Sequence, residues 1–213
     1  MKITKFGHCC LLVEEKGLRI LTDPGNYSTA QNEIRGVNVV LITHHEHKDH
    51  LYMDSLKAVL KNNPSAKVMT NRSVGRVLEK EQIPFIRVED GQCYVEKGIS
   101  IEAFGRTHAI IYPALPEINN TGYFIANRLF YPGDALTNPQ KPVEILAVPV
   151  AGVWLKLSDG VDYAKEIKPK ICLPVHDSNM KSPGSVHSVP PVILEPLGIR
   201  FILPDPGTEM SFG

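Results

Sequence analysis

The sequence THHEHKDH occupies residues 43–50 and contains four of the eight histidines in the chain. It begins at the end of Val39–Thr43, a continuous apolar run that is typical of a buried strand. Histidine and carboxylate side chains concentrated on a loop that leaves such a strand indicate a metal site. The alternative is a solvated, histidine-rich turn that binds no metal.

The spacing of the ligands in this stretch suits two metal ions. His45 and His47 are two residues apart, so in an extended chain they can face the same ion. Asp49 and His50 follow at once and can turn towards a second ion beside the first. Imidazole and carboxylate ligands suit Zn²⁺, Mn²⁺ or Fe²⁺, and two such ions roughly 3.5–4 Å apart can activate one hydroxide.

Three more candidate ligands each follow a predicted strand. These are His108 after Ile99–Phe104, Asp134 after Leu129–Tyr131, and His176 after Ile171–Val175. One histidine or aspartate after a strand is more often a cap or a hydrogen-bonding group in the core. The metal interpretation therefore depends on all three occurring together with the 45–50 motif.

Strand patterns occur in both halves of the chain, and helical patterns lie between them. The predicted strands are Lys2–Phe6, Cys10–Glu14, Leu18–Thr22, Val39–Thr43, Lys67–Thr70, Phe85–Val88, Gln92–Glu96, Ile99–Phe104, Gly122–Ala126, Leu129–Tyr131, Glu144–Val150, Ile171–Val175 and Gly198–Leu203. The predicted helices are Asp54–Lys61, Asn71–Glu81 and Ser158–Ile167, and Ser182–Pro191 is predicted to be a loop. The pattern indicates a layered α/β sandwich with mixed sheets, and because no linker divides the sequence we expect one domain over residues 1–213.

The composition excludes several classes of protein. The chain of 213 residues has 23 basic and 23 acidic side chains, so it lacks the positive surplus needed to bind nucleic acid or anionic lipid. Its longest stretch without a charged residue, Ser182–Leu194, is too short for the ~20 residues of a membrane span. The N-terminus has no apolar signal region, so we expect a cytoplasmic protein. The four cysteines form no C-x-x-C pair, which speaks against a zinc knuckle or a disulfide framework.

Taken together, these features resemble the metallo-β-lactamase superfamily. The matching positions are Asp23 within Ile20–Gly25, the 45–50 motif, His108, Gly133-Asp134 and His176. A likeness to the small bacterial metal-dependent hydrolases, which include L-ascorbate-6-phosphate lactonases, is carried by Phe6–Cys10, Ile20–Gly25 and Lys168–His176. The resemblance extends from about Lys2 to Leu203.

The resemblance implies a four-layer αββα sandwich, in which two mixed sheets are flanked by helices and the site lies at one edge. It implies that one ion is held by His45, His47 and His108, the other by Asp49, His50 and His176, with Asp134 bridging both. Asp23 would hold the second ring nitrogen of a ligand histidine, and His8 would lie in the pocket. The implied cofactors are two divalent ions, zinc in the first place, with manganese or iron as alternatives.

One position departs from the family pattern. The family usually places its threonine directly before the first ligand, whereas here His44 stands between Thr43 and His45. Either the loop is one residue longer or the strand register shifts. His44 is therefore left without a role, and the alternative that it binds metal stays open.

The expected activity is hydrolysis of a lactone, ester, amide or phosphoester in a small molecule, by a hydroxide that two metal ions activate. Asp49 or Asp134 would accept the proton. Two alternatives remain, an iron-dependent redox enzyme similar to persulfide dioxygenases and a non-catalytic metal-binding module. The ligand set contains no cysteine, which favours an open catalytic site over a closed structural one, and the neutral charge disfavours a nuclease.

Overall fold

The computed structural model describes residues 1–182 and 184–213. The strands are β1 Lys2–Gly7, β2 Cys10–Glu15, β3 Leu18–Thr22, β4 Val39–Ile42, β5 Lys67–Thr70, β6 Phe85–Arg87, β7 Cys93–Glu96, β8 Ile99–Phe104, β9 Gly122–Ile125, β10 Leu129–Tyr131, β11 Ile145–Pro149, β12 Ile171–Val175, β13 Arg200–Phe201 and β14 Glu209–Ser211. The helices are α1 Met53–Asn62, α2 Arg72–Lys80, α3 Leu157–Ile167 and α4 Ser185–Leu194.

These strands form two seven-stranded sheets. The first has the order β14-β1-β2-β3-β4-β5-β6, and the second has the order β13-β12-β11-β10-β9-β8-β7. Each sheet is mixed, since β3 to β6 are parallel in the first, and β10 to β13 are parallel in the second. The carboxyl ends of parallel strands lie at one edge of a sheet, which is where open α/β sheets place their sites.

Strand β4 shows how the layers arise. Its side chains alternate between the two faces of the first sheet. Val39 and Leu41 pack into the core between the sheets, whereas Val40 and Ile42 pack against α1 and α2 on the outer face. Helices α3 and α4 cover the outer face of the second sheet in the same way. The predicted four-layer sandwich of two mixed sheets is therefore confirmed.

The chain near residues 182–191 differs from the predicted loop. Ser185–Leu194 is a helix although it contains Pro190 and Pro191, and Pro183 lies outside the described residues. The buried positions Val186, Pro190 and Leu194 are four residues apart, so they form one helical stripe against the second sheet. Burial of this stripe outweighs the loss of helical hydrogen bonds at the prolines.

Two further features bear on the sequence predictions. The predicted strand Gly198–Leu203 shortens to Arg200–Phe201, and Glu209–Ser211 adds a strand that pairs with β1.

All four cysteines are free thiols. In the part of the chain that the structure describes, no helix has the length and apolar character required to cross a bilayer.

A buried ion pair joins β1 to the segment after β12. The Lys5 ammonium donates to both carboxylate oxygens of Asp177 at 2.7 Å and to the Pro174 carbonyl at 2.8 Å. We expect Lys5→Met to lower the free energy of unfolding by about 3 kcal/mol, because one buried charge then loses its main partner. Urea denaturation measures this loss, and the exposed Lys2, which pairs with Glu209 at the surface, provides the control Lys2→Met, which should lower the stability far less. Equal losses in the two variants would contradict the prediction.

Candidate metal centre

Seven ionisable side chains meet between the two sheets, at the edge where the parallel strands end. They are His8 in the β1–β2 turn, His44, Asp49 and His50 after β4, His108 after β8, Asp134 after β10 and His176 after β12. Their ligand atoms form two adjacent groups, one of His44, His108 and Asp134, the other of His8, Asp49, His50 and His176. A third group joins the buried Cys9 thiol to His50 and Asp134, and burial raises the pKa of that thiol to about 11. Six of these residues were predicted as site residues, and His44 was the residue left without a role.

The Asp134 carboxylate lies at the centre of this cluster. Its Oδ1 is 3.0 Å from His50 Nε2, and its Oδ2 is 3.3 Å from His108 Nε2, 3.0 Å from His176 Nε2 and 3.9 Å from His44 Nε2. The indole Nε1 of Trp154 donates to Oδ2 at 2.9 Å. One carboxylate therefore faces histidines of both groups.

The polar atoms at the centre are close together but poorly matched as hydrogen-bond partners. Five such atoms are buried and have no well-aligned hydrogen bond to any residue of 1–182 or 184–213, namely His44 Nε2, Asp49 Oδ1, His50 Nε2, His108 Nε2 and Asp134 Oδ1. Buried polar groups in proteins are nearly always hydrogen-bonded. Imidazole and carboxylate donors with free lone pairs that converge in this way fit divalent metal ions.

Hydrogen bonds at the outer nitrogen orient three of these rings. His50 Nδ1 donates to Asp23 Oδ2 at 2.7 Å, and His108 Nδ1 donates to the Ala109 carbonyl at 2.5 Å. The Thr43 hydroxyl donates to Asp23, so it can accept from His44 Nδ1 at 3.0 Å. With the proton on Nδ1, each ring directs the lone pair of Nε2 into the cluster, which is the form that binds a metal.

The His8 ring accepts a hydrogen bond at Nδ1, whereas the other three rings donate from that nitrogen. Its Nδ1 accepts the backbone N–H of Ser178 at 3.1 Å, and its own backbone N–H donates to Ser178 Oγ at 2.7 Å. A neutral ring whose Nδ1 accepts carries its proton on Nε2. That N–H lies 3.3 Å from Asp49 Oδ2, so His8 presents a donor to the cluster rather than a lone pair.

The loop after β4 places its histidines differently from the prediction. His44 is fully buried and faces His108 and Asp134. His45 is half-buried and its Nε2 lies 3.1 Å from Ser73 Oγ on α2, away from the cluster. His47 lies exposed at the mouth of the cavity, outside both groups. The extra residue after Thr43 is the reason, because it places His44 at the point where the chain leaves the strand and turns into the site.

Two glycines bring the loops close enough together. A Cβ on Gly25 would lie 1.7 Å from the Asp49 carbonyl oxygen, and a Cβ on Gly133 would lie 2.3 Å from Asn120 Oδ1. Asn120 Oδ1 also accepts the backbone N–H of Asp134 at 3.0 Å. Glycine is thus required at both positions for the close approach of the two loops. No pattern in the sequence indicates the role of Asn120.

The charges and the burial in the cluster shift the pKa values of its side chains strongly. Burial alone would raise the pKa of Asp134, but the neighbouring imidazoles of His50, His108 and His176 hold that pKa well below its usual range. Burial, together with the neighbouring His50, lowers the pKa of His44 well below its usual range. At neutral pH, Asp134 is therefore an anion and His44 a neutral ring, the states in which both can bind a cation.

A cavity of about 350 Å³ opens onto the cluster. Asp49, Asp134 and His176 line its inner part, and the indole of Trp154 forms a wall with its ring centre 5.8 Å from that of His176. Trp154 is the only tryptophan of the chain. A ligand in this cavity would therefore contact both the cluster and the single tryptophan.

The Asp23 carboxylate lies behind His50. A substitution at Asp23 tests whether hydrogen bonds from outside the cluster strengthen metal binding. It accepts from the Thr43 backbone N–H at 2.8 Å, the Thr43 hydroxyl at 2.7 Å and the Tyr131 hydroxyl at 2.5 Å, besides His50. We expect Asp23→Asn to weaken zinc binding about 10- to 100-fold, because the amide cannot accept all four bonds. Asparagine tolerates the positive φ of 36° at this position.

Competition with a chromophoric chelator measures the affinity in this test. The control is Asp162→Asn, which changes an exposed carboxylate on α3 that pairs with Lys165. Equal zinc affinity in the two variants would mean that Asp23 does not support the cluster.

The chain is similar to known proteins over most of its length. A family model described as a beta-lactamase superfamily domain matches residues 2–176. Protein Rv0786c of Mycobacterium tuberculosis is 36% identical over 183 residues, which are 84% of each chain. A UPF0173 metal-dependent hydrolase of Carboxydothermus hydrogenoformans is 25% identical over 193 residues, 83% of this chain and 84% of the relative. The solved structure of Igni18, a metallo hydrolase from Ignicoccus hospitalis, has a TM-score of 0.78 at 20% identity and covers 100% of this chain and 99% of that one.

Proposed function

Because the chain belongs to the metallo-β-lactamase superfamily, we propose that it is a metal-dependent hydrolase that acts on a lactone, ester, amide or phosphoester in a small molecule. The observation that carries this proposal is the set of five buried, unmatched nitrogen and oxygen atoms in the cluster, contributed by His44, Asp49, His50, His108 and Asp134. The open cavity beside them, about 350 Å³, has the size of a small-molecule site. The ligands assigned below carry only nitrogen and oxygen donors, because burial raises the pKa of the neighbouring Cys9 thiol to about 11 and keeps it protonated. This supports a catalytic rather than a structural metal.

We assign the proposed ligands from the geometry. His44 and His108 would hold one divalent ion, Asp49, His50 and His176 would hold another, and Asp134 would contact both. His44 thus takes the place that the sequence pattern reserved for His45, and His47 stays at the cavity mouth. Zinc is the first choice for such a nitrogen- and oxygen-only site, and manganese or iron are the alternatives.

When bound, the ions would supply an acidified water and polarise the bond that is cleaved. The protein residues would then position and move protons. Asp49 is the proton acceptor in this proposal, since its Oδ1 has no hydrogen-bond partner among the described residues and it lines the cavity. The indole N–H of Trp154 would hold the Asp134 carboxylate in place from the cavity side.

His8 has a separate role in this proposal. Its ring presents Nε2–H towards Asp49 because the Ser178 backbone occupies its Nδ1. A ring in that form cannot also bind a metal through Nε2. We therefore assign His8 as a hydrogen-bond donor that orients Asp49, not as a ligand.

The proposed function is tested with protein stripped of metal by a chelator and then reloaded with zinc, manganese or iron(II). Metal content by mass spectrometry and hydrolysis of a panel of 4-nitrophenyl esters, lactones and phosphoesters are measured on each form. We expect no hydrolysis by the stripped protein and recovery on reloading. Hydrolysis that is indifferent to metal, or dioxygen uptake by the iron form with no hydrolysis by any form, would overturn the proposal.

A further inference from the structure

A second cavity lies beside the metal centre and differs from the first in character. It measures about 320 Å³ and is lined by His108 and by residues 109–118 of the segment after β8, except for Ala114. Its lining is mostly apolar and includes Ile110, Ile111 and Leu115. Among the described residues that line it, Glu117 is the only acidic or basic one apart from His108. We call this cavity the apolar arm.

The apolar arm adjoins the first cavity. Ile111 lines both of them. His108, at the inner end of the arm, has its Nε2 3.3 Å from Asp134 Oδ2, and Asp134 lines the first cavity. A ligand in the arm therefore contacts His108, a residue of the metal centre itself.

The side chains of the arm are unusually exposed for their type. Ile110 is 73% exposed and Leu115 is 55% exposed. At the mouth of the first cavity, Val153 is 85% exposed. Several large apolar side chains left in water along two adjoining cavities mark a ligand or interaction site, whereas single exposed ones need no explanation.

Resting on the proposed function, we propose that the substrate carries an unbranched apolar chain of several carbons on the acyl side of the cleaved bond, and that the apolar arm binds this chain. Water adds to the acyl carbon and the bond to the leaving oxygen breaks, so an apolar carboxylate, an alcohol and one proton are released. The arm has almost no charge to offer, so it selects the chain by burial from water, which is non-directional and grows with chain length.

The test is a series of 4-nitrophenyl acetate, butyrate, hexanoate and octanoate with the zinc-loaded protein. The leaving group is constant, so differences in kcat/KM report the acyl chain. We expect kcat/KM to rise about two- to fourfold for each added methylene, as burial of a methylene predicts. Leu115→Ser should flatten this dependence, whereas the control Val95→Ser, at an exposed valine of the edge strand β7, should keep it.

A binding measurement separates this inference from the proposed function. Butyrate, hexanoate and octanoate are titrated into the zinc-loaded protein while the fluorescence of Trp154 is recorded. Tighter binding with chain length that is lost in Leu115→Ser supports the apolar arm even if no ester is hydrolysed. Ester hydrolysis without any dependence on chain length, or a dependence that Leu115→Ser leaves intact, overturns it. A dimer that dissociates in Leu115→Ser, with the dependence on chain length unchanged, also overturns it and assigns the surface to a second copy of the chain.

Discussion

Replacing His44 by alanine is expected to lower kcat/KM on the order of 10⁴-fold, whereas replacing its neighbour His45 by alanine should leave kcat/KM nearly unchanged. His44 is fully buried and faces His108 and Asp134, and its pKa is held well below the usual range. His45 lies against Ser73 on the other side of the loop. The two variants remove the same side chain from adjacent positions, so the difference reports the burial and orientation of each ring rather than its chemistry.

Metal content and folding are measured with the rates. We expect His44→Ala to lose zinc by mass spectrometry while its far-UV circular dichroism stays native. His45→Ala should keep the zinc content of the unaltered protein. The opposite result, with activity lost in His45→Ala and kept in His44→Ala, would show that the family pattern rather than the observed loop describes the ligands.

Replacing Asp134 by asparagine is expected to have the second large effect, again a loss on the order of 10⁴-fold in kcat/KM, because one carboxylate serves both groups of ligands. Asparagine matches the shape of aspartate and can still accept from the Trp154 indole. It removes the negative charge that faces His50, His108 and His176, and with it the anionic contact that we propose for the metal ions.

The metal stoichiometry gives the second measurement for Asp134→Asn. We expect the variant to bind less zinc and the change in Trp154 fluorescence on zinc addition to shrink. The control is Asp162→Asn, which changes a carboxylate on the exposed face of α3 that pairs only with Lys165 within the described residues. Full zinc content together with full activity in Asp134→Asn would contradict the assignment of this residue to both groups.

Much of the fold could be predicted because the relevant patterns are local. The apolar run before residue 43 and the helical spacing of Val74 and Leu78 each depend on side chains close in sequence. Helix α4 and strand β14 could not be predicted in this way. The first depends on packing against the second sheet in spite of two prolines, and the second depends on pairing with β1 at the opposite end of the chain.

The sequence by itself determined which chemistry the protein offers. Histidines and aspartates that follow successive buried strands must meet where the ends of those strands meet, and their nitrogen and oxygen atoms suit divalent metals. Only the tertiary structure decided which side chain of an adjacent pair turns inward. That choice depends on how the backbone leaves β4, where Asp23 holds Thr43 and Gly25 lets the Asp49 segment approach. Two adjacent histidines in a sequence do not show which of them such contacts turn inward. His44 could therefore be assigned to the site only from the structure.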